Sequence, residues 1–340
     1  MTIASGSSGL RVLVTGATGF IGFHTAACLR AEGHSVRALV RSLEKGERVL
    51  GPLGIERGEL IVGDMVNRDA VAQALAGCDA VVHAAAGVSV TSGRTDFDAN
   101  IRGTEMVVGG ACDRGLATVY LSSLLAIFDP KRPVTEDSPL VASRTHYGRS
   151  KMKADAWVRG RQDEGAPVAI LYPPGVVGPD DPGFSESVKA YRSFLRGTLK
   201  SEGGNQLVDV RDLAQLLTRM LEHEVRGRVV AAGYFFDWDA FTALLEEVTG
   251  ARIPRIAAPG WLLRGAARTL DVAAKVTGRK MPITGEGIEI ATRFRPMQDS
   301  PRVSQLGVTW RAPEETIEDL FRWYLATGRL PPKAVPALSG

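Results

Sequence analysis

The stretch Val12 to Gly22, VLVTGATGFIG, constrains the fold more than any other part of the chain. A short apolar run leads directly into Gly16, Gly19 and Gly22, and an apolar helical pattern follows. Glycines at this spacing permit a tight strand-to-helix turn, close approach of backbone to a pyrophosphate, and close packing of helix on strand. The helix start adds unpaired N–H groups and the positive end of a dipole. An ordinary strand-to-helix turn is the plain alternative, and the strand before and helix after the glycines argue against it.

The same alternation continues through the first half. Short, nearly all-apolar runs at Arg11 to Thr15, Val36 to Val40, Glu59 to Gly63, Ala80 to Ala84, Thr118 to Ser122 and Val168 to Tyr172 predict strands covered on both faces. Helices are predicted between them at Ile21 to Glu32, Arg68 to Ala76, Phe97 to Arg114 and Tyr147 to Glu164. The fold class is therefore α/β, a doubly wound parallel sheet. After Tyr172, the residues Pro173, Pro174, Gly175, Gly178, Pro179, Pro182 and Gly183 take the chain out of the sheet and into a smaller, mostly helical second lobe. Gln206 to Val210 and Val229 to Ala232 read as strands around an amphipathic helix, Arg211 to Glu222, and are assigned to the first lobe. With 340 residues, 44% hydrophobic and 23% charged, the chain suits such a two-lobed globular arrangement and not disorder, collagen or a coiled coil.

Taken together, the motifs resemble those of the extended short-chain dehydrogenases/reductases, the NAD(P)-dependent epimerase/dehydratase superfamily. The resemblance starts with TGxxGxxG at Thr15 to Gly22, then Asp64 after the third strand, HAAA at His83 to Ala86, and Asn100 followed by Gly103 and Thr104. It continues with Ser122 and Ser123 after the fifth strand, YGRSK with Tyr147 and Lys151, PPGVVGP at Pro173 to Pro179, and VDVRDLA at Val208 to Ala214. It spans roughly residues 11 to 214 and loosens beyond. It implies a Rossmann-type dinucleotide-binding domain of 10–172 plus 205–233, a substrate lobe of 173–204 plus 234–330, a flexible tail at 1–9 and a second tail at 331–340.

The resemblance implies that the cofactor is held by Thr15, Gly16, Thr18, Gly19, Phe20, Ile21 and Gly22, by Asp64 with Met65 near the adenine, by the small residues Ala84, Ala85 and Ala86, by Asn100, and by Pro173, Pro174, Gly175 and Val176. The end of the second strand bears on which nicotinamide cofactor is bound. An acid there would accept from a ribose 2′-OH, whereas a cation would pair with a 2′-phosphate. The sequence reads ALVRS, with Arg41 and no acid, and Lys45 follows closely, so NADP is expected, NADPH in preference to NADH. A solvated surface Arg41 and a turn-capping Asp64 are the plain alternatives.

Tyr147 and Lys151 stand four apart on a predicted helix and project from one face. A phenol is a poor acid-base near pH 7, and a nearby ammonium is expected to lower its pKa. The resemblance assigns Lys151 a hydrogen bond to the nicotinamide ribose as well. Ser123 is expected to face the cleft and donate to a carbonyl, and Ser122 to be structural. The catalytic set is then Ser123, Tyr147 and Lys151.

Leu124 and Leu125 follow Ser123 where the family's dehydratases carry an acid-base pair, and an apolar pair transfers no proton. The loop YPPGVVGP resembles the dihydroflavonol-reductase and 3β-hydroxysteroid-dehydrogenase branch, although Tyr172 stands where Arg is frequent. The expected activity is reduction of a carbonyl, or oxidation of the alcohol, on a small apolar substrate. A nucleotide-sugar epimerase and a catalytically silent NADP(H)-binding sensor or scaffold are the alternatives.

Phe184, Tyr191, Phe194, Phe235, Phe236, Trp238, Trp261, Leu262 and Leu263 offer apolar material for a pocket, though most read as core, and Pro259 to Thr277 reads as a lid, a membrane-surface helix or a plain packed one.

A net charge of +3, from 41 basic and 38 acidic residues scattered along the chain, excludes a nucleic-acid stripe. Cys28, Cys78 and Cys112 and the five histidines lack metal-site spacing, so no metal is expected, and free cysteines suit a cytoplasmic location. No secretory leader and no apolar run of about 18 residues is seen, so no integral membrane association is expected. The helices at 97–114 and 147–164 resemble those that form a four-helix interface in the family, and the resemblance implies a possible homodimer.

Overall fold

A computed structural model describes residues 9–87, 97–143, 145–277 and 285–339. Its first strand, β1 (Arg11–Thr15), is buried at every position after Arg11 and lies within a seven-stranded sheet. Period-two alternation sends Val12 and Val14 to one face and Leu13 to the other, and each joins a separate apolar cluster, so the strand needs cover on both sides.

The cover comes from crossover helices. In chain order, β1 is followed by α1 (Phe20–Ala31), β2 (Ser35–Val40), α2 (Leu43–Leu50), β3 (Leu60–Val62), α3 (Arg68–Leu75), β4 (Ala80–His83), α4 (Asp98–Cys112), β5 (Ala117–Leu121), α5 (His146–Asp163) and β6 (Val168–Tyr172). Then come β7 (Gly175–Val177), α6 (Glu186–Phe194), β8 (Thr198–Lys200), β9 (Gly204–Asp209), α7 (Val210–Glu222), β10 (Gly227–Val230), β11 (Tyr234–Asp237), α8 (Trp238–Thr249) and β12 (Arg255–Ala257). The helices α9 (Gly260–Thr277), α10 (Gly285–Arg293), α11 (Pro301–Gln305) and α12 (Pro313–Ala326) complete the described chain. The main sheet runs β3-β2-β1-β4-β5-β6-β10, all parallel. Helices α1 and α7 pack together, as do α3 with α4 and α4 with α5. The order reverses between β1 and β4, so the ends of these two strands open a crevice, the usual ligand position in such sheets.

Two sequence expectations need correction. The strand read at Gln206 to Val210 does not extend the main sheet. It is β9, which pairs with β7 and β11 in a separate three-stranded sheet, whereas α7 packs on α1 and β10 joins the edge of the main sheet. Residues 331–340 are no loose tail over their described part. Pro332–Ala334 and Pro336–Leu338 form two short 3₁₀ turns that bury Val335 and Leu338 in the main core. Residues 1–8 of the expected N-terminal tail lie outside the described residues.

The apolar residues Val107 and Val108 of α4 are buried, and Met152 and Trp157 of α5 pack against an internal cluster. Among the described residues no helix is long and apolar enough to cross a membrane.

Candidate active site

The glycine turn is built as its spacing requires. Gly16 adopts φ +74°, and a Cβ there would meet the backbone of Ala85 at 2.8 Å. A Cβ on Gly22 would lie 2.2 Å from the Gly16 carbonyl oxygen, so α1 can sit this close to β1 only without a side chain there. Gly19 is the N-cap of α1, no side chain caps the helix, and no acid stands in its first turn. Its first amides point outward without intrahelical partners, a ready anion site.

Around this turn, the Thr15 hydroxyl takes the backbone N–H of Ala85 at 3.3 Å and contacts His83 Nδ1 at 2.7 Å. His83 Nε2 meets Thr104 Oγ1 at 3.2 Å, and burial, with the Lys151 charge adding to it, pushes the imidazole down to about 3, so it is neutral. The small residues Ala84, Ala85 and Ala86 leave β4 partly exposed beside the glycines. Asn100 fixes the end of this segment: its Oδ1 accepts from Gly87 N at 2.7 Å, and its Nδ2 donates to Ser150 Oγ at 3.2 Å.

Arg41 follows β2 directly and is exposed, with Lys45 one turn into α2. Neither side chain has a partner among the described residues, whereas neighbouring Arg48 pairs with Glu44. Asp64 Oδ1 accepts from Val66 N at 3.1 Å, so this carboxylate does cap its own turn, and Met65 packs against Gly103 of α4. Pro173 and Pro174 link β6 to β7, which opens with Gly175 and Val176, and the Pro173 carbonyl faces Leu124 N at 3.4 Å.

The two serines after β5 diverge. Ser122 is buried and donates to Asp155 Oδ2 at 2.5 Å, while Ser123 is partly exposed, caps the next turn by accepting from Leu125 N at 3.2 Å, and lies near enough to the Tyr147 phenol to act on its pKa. Thr145 caps α5 through Gly148 N, and this fixes where the helix starts and therefore where Tyr147 and Lys151 emerge. Phe97 stands against both His146 and Tyr147, with ring centroids at 6.1 and 6.5 Å.

Burial pushes the Tyr147 phenol up to about 12, with the Ser123 hydrogen bond pulling the other way, although the residue keeps partial solvent contact. The lowering expected from Lys151 is thus not found. Its Nζ donates to the Leu121 carbonyl at 2.8 Å and stands 5.2 Å from the centre of the Tyr120 ring. Burial also pulls Lys151 down to about 8, against the opposing charge of Asp155.

Sequence reasoning did not find the partners of Tyr172. Its hydroxyl donates to Asp155 Oδ1 at 3.0 Å and accepts from Arg159 Nη2 at 2.9 Å, so a guanidinium from α5 supplies the charge that the strand end lacks. The spacing of Asp155 and Arg159 on the helix could have signalled an ion pair. Beyond the site, Phe294 stacks between Phe128 and Phe235, at 5.6 and 6.0 Å. Trp261 and Leu262 are 70% and 49% exposed, so the start of α9 is not plain core.

A model of the NAD dependent epimerase/dehydratase family matches residues 12–233, well over half of the chain. The chain belongs to that family. It is an NAD(P)-dependent enzyme of the oxidoreductase type within the extended short-chain dehydrogenases/reductases. Sterol demethylase protein B of Methylococcus capsulatus is 28% identical over 333 residues, 94% of this chain and 100% of that one. A 4-hydroxy-2-methyl-3-oxo-4-farnesyl-3,4-dihydroquinoline-1-oxide ketoreductase of Stigmatella aurantiaca is 30% identical over 72% of this chain and 74% of its own. The crystal structure of gox2253 superposes with a TM-score of 0.80 at 25% identity, covering 96% of this chain and 100% of that one. The dinucleotide of this family fits the residues present: the uncapped start of α1 and the glycine cradle accept a pyrophosphate, and any Cβ at Gly16 or Gly22 would fill the turn.

Proposed function

We propose that this family member is an NADP(H)-dependent reductase of a carbonyl on a small apolar substrate. The observation that carries the reading is the placement of Tyr147 and Lys151 one turn apart on α5, fixed by the Thr145 cap, with Ser123 at the end of β5 near enough to the phenol to act on its pKa. When bound, the nicotinamide supplies or accepts the hydride; the chain's own residues handle orientation and the proton. Ser123 donates to the carbonyl oxygen, Tyr147 gives its proton to the developing alkoxide, and Lys151 holds the nicotinamide ribose. A phenol near 12 is protonated at neutral pH, and this suits the reductive direction.

Arg41 just after β2 and Lys45 in the first turn of α2, cations without a partner among the described residues, support a 2′-phosphate and therefore NADPH. Leu124 and Leu125 after Ser123, the stacked Phe128, Phe294 and Phe235, and the sterol and farnesyl compounds in the relatives' names support an apolar substrate.

Loss of NADPH absorbance across a panel of apolar aldehydes and ketones tests the reading, and no turnover on any of them counts against it. Arg41→Ala is expected to raise KM for NADPH about 10-fold or more, the loss of a charge-assisted pair of roughly 1.5–3 kcal/mol, and to leave KM for NADH unchanged. A wild type that prefers NADH refutes the 2′-phosphate assignment. Light scattering tests the homodimer separately, and a monomeric mass at micromolar concentration refutes it.

A further inference from the structure

The ends of β5 and β6 beside the site share one buried carboxylate on α5 that the chemistry above does not use. Asp155, fully buried on α5, accepts from Ser122 Oγ at 2.5 Å through Oδ2, and from Tyr172 OH at 3.0 Å and Arg159 Nε at 2.8 Å through Oδ1. Arg159 also donates to Tyr172 OH at 2.9 Å and to the Ser138 carbonyl at 3.3 Å. An ion pair this deep is no efficient way to gain stability, because apolar residues of like volume commonly serve as well or better. Ser122 precedes Ser123, Tyr172 precedes Pro173 of the cofactor loop, and Asp155 stands one helical turn after Lys151.

We propose that Asp155 is a positioning residue, clamping the ends of β5 and β6 to α5 so that Ser123, Lys151 and the Pro173 to Val176 segment keep a fixed mutual placement, and holding an acidic side chain one turn from Lys151. The inference rests on the site reading given above. The groups facing Lys151 come from three elements. From β5 it meets the Tyr120 ring and the Leu121 carbonyl, and from β4 the neutral His83. On its own helix stand Tyr147 and Asp155, and among the described residues Asp155 is the acid that acts on it. Arg159 and Tyr172 lie on the far side of that carboxylate. Without Asp155 nothing opposes the burial that pulls the ammonium down, and the freed Arg159 charge adds to the pull.

Two measurements test this. In the cofactor-free protein, amide hydrogen exchange in Asp155→Asn is expected to speed up at both 121–127 and 172–178, whereas Tyr172→Phe speeds only the second segment and Ser122→Ala only the first. In the second, NADPH affinity is followed by nicotinamide fluorescence against pH. Wild-type affinity is expected to fall as pH rises through the Lys151 value near 8. Asp155→Asn should move that midpoint down by about one pH unit or more, the size of a close opposite charge, and Asp155→Glu should keep it. Faster exchange in only one segment, or an unmoved midpoint in Asp155→Asn, overturns the proposal. A wild type that binds no NADPH defeats the site reading instead, and the clamp is then decided by the exchange data alone.

Discussion

Tyr147 is a neutral phenol near pH 7 because burial outweighs the Ser123 hydrogen bond, and its proton is therefore available for donation but not easily removed by water. General acid catalysis is worth roughly 10²- to 10⁴-fold, so Tyr147→Phe should lower kcat by that range while cofactor affinity, read by fluorescence titration, stays within about twofold. Near-full turnover in Tyr147→Phe would place the donor elsewhere, with the exposed His146 next to it as the candidate. Lys151→Ala should damage both quantities, since it removes the donor proposed for the ribose as well as a buried charge. These two side chains were legible in the sequence because a four-residue helical spacing fixes their common face without tertiary information. The divergence of Ser122 and Ser123 was legible for the same local reason, from strand register. The partners of Tyr172 were not, because Arg159 reaches it from a neighbouring element and no spacing along the chain encodes that approach.

At the scale of elements, the strand-to-helix turn from β1 to α1 is held open by missing side chains. In Gly22→Ala the new Cβ would stand 2.2 Å from the Gly16 carbonyl, backbone against backbone, so α1 must move off β1. Overpacking of this kind typically costs about 1–3 kcal/mol. The expected outcome is a lower Tm together with cofactor affinity weakened at least 10-fold, because the displaced helix end no longer aims its amides at the pyrophosphate; unchanged affinity would detach α1 from cofactor binding. Strands such as β1, β4, β5 and β6 could be read directly, since burial on both faces leaves nearly continuous apolar runs. Their neighbours in the sheet are a different matter. β9 looked like a strand of the first lobe, yet it pairs with β7 and β11, and a run of alternating residues carries no label for its partner. The two 3₁₀ turns at 332–338 were missed because their prolines read as loop, while the burial of Val335 depends on the core cluster built by α8, α12 and their neighbours.

Across the whole molecule, the motif Val208 to Ala214 joins distant parts of the chain, a role its sequence did not disclose. Asp209 caps α7 through Arg211 N at 2.8 Å, binds the Arg211 guanidinium at 2.7 Å, and accepts from Thr316 Oγ1 of α12 at 2.8 Å. Arg211 reaches on to Asp319 at 2.6 Å, and Asp212 takes Arg311 N and Nε at 2.7 and 3.1 Å. Helix α7, packed on α1 beneath the cofactor turn, is thereby fastened to the C-terminal helix. Burial alone would raise the Asp209 carboxyl, but the Arg211 and Thr316 hydrogen bonds outweigh it and hold it below the usual value. A group whose folded pKa is depressed stabilises the fold above its unfolded pKa and loses that contribution as pH falls through the folded one. Asp212 works in the opposite sense, raised by burial despite Arg311, so acid denaturation of the wild type alone does not isolate Asp209. The comparison with Asp209→Asn does. Removing one partner of a buried pair costs roughly 3–5 kcal/mol, on the order of 10 °C in Tm for a chain of this size. That gap should be full near pH 7 and close as pH drops below about 4, the ordinary aspartate range. A gap that is small at pH 7, or one that persists unchanged in acid, would mean that packing of α12 on α7, and not the charge on Asp209, holds the C-terminal region to the first lobe.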